Sequence, residues 1–160
     1  MPRAIERNNQ QDVKKGGKKL QKGVREGGRY SKKLKKSLLK IKTYLGVLTC
    51  SGLQEALIKL NKFCFLYKIH DKYIAIRSDR KRLEIFDPCG FLKNKQTHSL
   101  IKFIKAHSLN RNLVFNKKAI CSSQTELACL LFLTLHNLTD SFNKTLSNVT
   151  ACIMKMNKKV

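Results

Sequence analysis

The amino-acid sequence predicts an α+β fold, an antiparallel meander of strands with helices packed on it, and three observations carry that expectation. Residues 62–87 contain three short runs rich in aromatic and β-branched residues, separated by turn-forming pairs. Residues 126–138 (ELACLLFLTLHNL) are apolar nearly all round, the pattern of a central buried helix. Between them, Leu100, Ile101, Ile104 and Leu109 recur at helical spacing.

Taken in chain order, residues 1–42 hold 15 of the 34 basic residues, three acids (Glu6, Asp12, Glu26) and five of the eight glycines. With almost nothing to bury before Tyr30, this stretch predicts a disordered basic arm to about Tyr30, with residues 32–42 helical when bound to an acidic surface. Residues 43–160 are expected to be the folded domain. Within it, 62–69 (KFCFLYKI) and 72–77 predict two strands, the second ending at the turn-like pair Ser78 and Asp79. A third strand over 82–87 (RLEIFD) stops at Pro88 and Gly90, which end a strand and turn the chain. A helix over 96–109, a short strand over 112–116 (NLVFN) and the central helix over 126–138 follow. From Thr139 onward the pattern is a weak, polar helix.

Length and charge narrow the function. A chain of 160 residues has room for one domain with a tail. Against 34 Lys and Arg stand 10 Asp and Glu, a net charge of +24, and each side of residue 42 carries half of it. Such a chain repels itself unless a polyanion is near, so nucleic acid is the expected partner. The lysines of the arm, Lys14, Lys15, Lys18, Lys19, Lys32, Lys33, Lys35 and Lys36, are the candidate contacts to DNA phosphates. No base-reading helix or finger is recognisable, so binding to double-stranded DNA is expected to ignore sequence. No run of 18 apolar residues and no signal-peptide pattern occurs, which predicts an intracellular protein without a membrane partner. In that setting the sequons at Asn137, Asn143 and Asn148 read as polar residues with threonines nearby. The six cysteines are irregularly spaced and read as thiols, with no metal site and no small-molecule cofactor expected.

One set of residues carries chemistry. If the hairpin turns at Ser78 and Asp79, so that Arg77 faces Arg80, then His70 faces Asp87 across the strands. An imidazole beside a carboxylate keeps one tautomer and gains when it becomes imidazolium, as the base of a nucleophile must. Cys129 falls in the first turn of the predicted central helix, where free N–H groups lower a thiol's pKa. Gln124, just upstream, is placed to point its amide at a developing oxyanion.

At these residues the sequence resembles the adenovirus-type cysteine proteases, the adenain family, including the related proteases of virus-like DNA transposons. Thr43 to Val47 (TYLGV) is similar to an aromatic-Leu-Gly segment near the start of those proteases, and Ile85 to Phe91 (IFDPCGF) to their motif of Phe, an acid, Pro, any residue, Gly and Phe. His70 precedes Asp87 by the 17 positions that separate the family's catalytic histidine and acid. Leu127 to Phe132 (LACLLF) resembles the nucleophile segment Ala-Cys-Gly-Leu-Phe. Three positions differ. Asp71 stands where the family has Trp, Leu130 replaces the Gly after the nucleophile, and Gln124 stands five residues before the cysteine instead of six or seven, with Ser122 at minus seven.

The resemblance implies a papain-like, adenain-type α+β peptidase. In it Cys129 is the nucleophile, His70 general base then acid, Asp87 the orienter and Gln124 the oxyanion donor. It further implies a viral cysteine endopeptidase that matures virion precursor proteins in the host nucleus and virion, with DNA as polyanionic activator and an activating peptide as a further partner. Gly16, Gly17, Gly27 and Gly28 look like glycine-containing sites that such enzymes cut. Two alternatives stand beside it: a non-enzymatic basic DNA-condensing core protein on a degenerate protease scaffold, and a peptidase of the related group that removes ubiquitin-like proteins.

Overall fold

The structure, a computed structural model, describes residues 25–90, 95–107 and 111–158. Its elements in chain order are α1 (Arg25–Leu39), β1 (Tyr44–Leu48), α2 (Cys50–Lys59), β2 (Phe63–Ile69), β3 (Lys72–Ser78), β4 (Arg82–Phe86), α3 (Lys95–His107), β5 (Asn112–Phe115), α4 (Thr125–Thr139) and α5 (Phe142–Lys158). The five strands lie in sequence order in one sheet.

That sheet is mixed, which corrects the expected antiparallel meander. β2, β3 and β4 do form a meander, but β1 pairs with β2 and β5 with β4 in parallel. The physical reason is the connection: α2 lies between β1 and β2, and α3 between β4 and β5. A parallel pair needs such a crossover, whereas a hairpin imposes the antiparallel sense.

Side chains alternate along each strand, so the sheet has two apolar faces and each is covered. Cys64, Leu66, Ala75 and Phe86 face α1, α4 and α5, which contribute Leu38, Phe132, Phe142 and Val149. Phe65, Ile74, Ile76 and Ile85 face α2 and α3, which contribute Leu53, Leu57 and Ile104. The result is three layers with the sheet in the middle. α4 is the buried central helix that its composition predicts, and its Phe132 ring stacks on Phe86 with centroids 4.7 Å apart.

Part of the stretch expected to be an arm, residues 1–42, packs on the body. Leu34 and Leu38, one helical turn apart, are buried in the core, and Lys35 of α1 pairs with Glu126 of α4 at 2.7 Å. Burying the Leu38 side chain contributes about 2 kcal/mol toward seating this lysine-rich helix on the body. The folded body therefore includes Arg25–Leu39. The rest of the expected arm, residues 1–24, lies outside the described residues.

Candidate functional site

The site region is built where β4 leaves the sheet. The β3–β4 register pairs Ala75 with Phe86 and Ser78 with Leu83, so the next residues along β3, Ile74 and Tyr73, would meet Asp87 and Pro88. Pro88 has no N–H to give, and the chain turns away there. Side chains of α4 take the vacated positions on Tyr73. The Tyr73 N–H donates to Thr125 Oγ1 at 3.0 Å, and the Cys129 thiol donates to Tyr73 O at 3.3 Å.

The departing segment is held by the loop after β5. Asp87 N–H donates to Asn116 Oδ1 at 2.8 Å, while Asn116 Nδ2 donates back to Asp87 O at 2.6 Å and to Lys118 O at 3.0 Å. Pro88 O accepts from Ile120 and Cys121 N–H groups at 2.8 and 3.1 Å. Gly90 has φ 79° and lies so close to this loop that a Cβ would meet Ala119 N at 2.8 Å, so only glycine fits.

The structure brings the three triad candidates to one end of the sheet without linking them. Asp87 is buried at 2% exposure, and its Oδ1 accepts the Cys89 N–H at 2.9 Å. Its charge lies near enough to Cys129 to push that thiol's pKa up. His70 occupies the two-residue tip of the β2–β3 hairpin with φ 55°, exposed, and forms no hydrogen bond or ion pair among the described residues. It stands three residues before Tyr73.

The expected facing of His70 and Asp87 is overturned. Asp79 Oδ1 accepts from the N–H groups of Lys81 and Arg82, both at 2.8 Å, and Asp79 N–H donates to Arg82 O at 3.0 Å. Arg80 and Lys81 therefore form the hairpin tip, Arg77 pairs with Glu84, and the partner set for Asp87 slides away from His70 toward Ile74.

The expected activation of Cys129 is overturned as well. The helix begins at Thr125, so Cys129 is its fifth residue, past the first turn where free N–H groups favour thiolate. It is wholly buried, and burial first, then the Asp87 charge, raises its pKa well above the ordinary value of 9.0. As folded, it is a protonated thiol. Gln124 is the N-cap, with φ 56°, exposed, and its side chain makes no cap hydrogen bond.

Of the candidate DNA contacts, Lys32, Lys33 and Lys36 are exposed on α1, and Lys35 is the partner of Glu126; Lys14, Lys15, Lys18 and Lys19 lie outside the described residues. Cys64, Cys89, Cys121, Cys129 and Cys152 are free thiols. No described helix is long and apolar enough to cross a membrane, and no described group of three His, Cys, Asp or Glu is arranged to hold a metal ion.

Sequence reading missed three positioning devices: the Thr125–Tyr73 bond, the Asn116 clamp, and a wholly buried His136 whose Nε2 meets Glu84 Oε2. Only the last left a trace, a His four residues after Phe132 in an otherwise apolar helix and a Glu within a strand. No family model matches the chain, and no curated protein matches it.

Proposed function

We propose that the chain is an adenain-type cysteine endopeptidase that works on DNA, with its nucleophile held inactive in the resting fold. The observation that carries this reading is the placement of Cys129, His70 and Asp87 at one end of the sheet, with Cys129 bonded to Tyr73 O and the Asp87 charge close enough to act on the thiol. The family motifs set out above supply the roles. Cys129 attacks the scissile carbonyl, His70 takes the thiol proton and passes it to the leaving amine, Asp87 orients and charge-balances the imidazolium, and Gln124 donates to the oxyanion. For this to happen, the thiol proton must leave Tyr73 O for His70. That shift is the activation step, and DNA or an activating peptide is its agent. Virion precursor proteins as substrates, and the host nucleus and virion as the place of action, extend the same reading.

A second reading has its own observation. The complete burial and raised pKa of Cys129 suit a non-enzymatic, basic DNA-condensing protein on a protease scaffold. A peptide vinyl-sulfone probe, applied with and without duplex DNA and read by intact mass and peptide mapping, separates the two. The endopeptidase takes up one probe at Cys129, more with DNA, and Cys129→Ala abolishes both labelling and peptide cleavage. Labelling that never reaches Cys129 while DNA binds normally establishes the condensing protein instead.

A further inference from the structure

The end of the sheet opposite the Tyr73–Cys129 contact is cationic. The strand senses bring together the starts of β1, β2, β4 and β5 and the end of β3. The segments meeting there carry exposed Lys40, Lys42, Lys62, Arg80, Lys81 and Arg82. Their acids are Asp79 and Asp140, and both are engaged. Asp79 caps its own turn, and Asp140 Oδ1 accepts from Arg77 Nη2 at 3.1 Å. Arg82 lies 3.5 Å from the buried Glu84. Lys40, Lys42, Lys62, Arg80 and Lys81 thus form no ion pair among the described residues, and Lys62, Arg80 and Lys81 border an open pocket of about 320 Å³ whose rim also holds Thr43.

We propose that this strand-end surface binds the phosphodiester backbone of duplex DNA. The proposal rests on the DNA-bound reading above and moves its contact surface from the lysine-rich arm to the folded body. Unpaired like charges on rigid strand ends repel each other, and a line of phosphates relieves that repulsion while releasing counterions. Among the described residues these segments present no exposed aromatic ring on which a base could stack, as single-strand binding uses, so duplex phosphates fit them better. Placed here, DNA lies at the far end of β3 from the thiol and leaves the candidate catalytic end open to a polypeptide.

The test uses the full chain with Lys62, Arg80 and Lys81 all changed to Gln, beside a second variant with Lys32, Lys33 and Lys36 changed to Gln. Binding to a duplex oligonucleotide is followed by fluorescence anisotropy across a salt series. Each lost phosphate contact removes about 0.9 from the slope of log K against log salt, so the strand-end variant should flatten it by about 2 or more. A smaller change overturns the proposal. If wild type binds with a steep slope and the α1 variant alone flattens it, the DNA-bound reading stands and this surface does not. If wild type has no salt-dependent affinity for DNA, the DNA-bound reading falls and takes the proposal with it. Loss of binding to phosphatidylserine vesicles, with the DNA slope intact, identifies a membrane surface and likewise overturns it.

Discussion

Glu84 and His136 form a buried polar pair whose breakage has a calculable cost. Glu84 is 1% and His136 0% exposed; Nε2 meets Glu84 Oε2, and His136 Nδ1 has no partner. Arg77 and Arg82 each place a guanidinium nitrogen 3.5 Å from Glu84 Oε1. Glu84→Leu leaves the imidazole with neither ring nitrogen satisfied in a closed core, a loss of about 3–5 kcal/mol. His136→Leu is milder, about 1–3 kcal/mol, because Glu84 keeps both arginines. The double variant places two leucines of similar volume beside Phe132 and should return to within about 2 kcal/mol of wild type. In a thermal melt followed by circular dichroism, with about 3–4 °C per kcal/mol for a chain of this size, Glu84→Leu should fall by about 10–20 °C. The coupling energy should reach at least about 2 kcal/mol. Additive single effects, or a larger loss for His136→Leu than for Glu84→Leu, would show that the pair does not act as a unit.

Two further outcomes follow from the site's scaffolding and its thiols. Asn116→Ala removes three hydrogen bonds at the exit of β4 and should cost about 2–3 kcal/mol in urea denaturation, with an unchanged m-value; a loss under about 0.5 kcal/mol contradicts the clamp. Burial raises the Cys64 thiol from 9.0 to about 11, so the folded state holds its proton more tightly than the unfolded chain does. That contribution, on the order of 3 kcal/mol, is fully present below about pH 8.5 and is lost as pH rises toward 11. Cys64→Ala should flatten the alkaline limb of stability against pH, and an unaltered limb refutes the assignment.

Much of the fold was legible in the sequence where pattern and turn chemistry agree. The runs over 62–69, 72–77 and 82–87 became β2, β3 and β4 within a residue or so, because β-branched and aromatic residues there are bounded by Ser78, Asp79 and Pro88. β1 and α2 leave little signal in the sequence. YLGVL is short, and CSGLQEALIK carries a Gly near its start and only a modest apolar stripe. The parallel sense of β1 and β5 has no trace in strands of five and four residues; it follows from the crossover helices. α1 was legible in principle, from Leu34, Leu38 and Ile41, but the lysines and the glycine pair outweighed that spacing.

Of the candidate site, the sequence offered His70, Asp87, Cys129 and Gln124 through spacing and a family resemblance, and the strand order sets His70, Asp87 and Cys129 at one end of the sheet. The His70–Asp87 facing could not be read, because Asp79 capping the main chain two and three residues ahead decides where the hairpin turns. The state of Cys129 was hidden too, since it depends on where α4 starts and on a proline in another strand.

The side-chain rung on Tyr73 also makes strand and helix open as one unit. Thr125 and Cys129 hold the amide and the carbonyl of a single residue, so the thiol cannot swing toward solvent without freeing an edge position that Pro88 is unable to refill. Local opening there is a single equilibrium with two reporters: the hydrogen-exchange protection of the Tyr73 amide and the chemical accessibility of the Cys129 sulfur. On the endopeptidase reading proposed above, exposure of the Cys129 sulfur would be accompanied by loss of its bond to Tyr73 O, so protection at the start of β3 should fall as labelling rises.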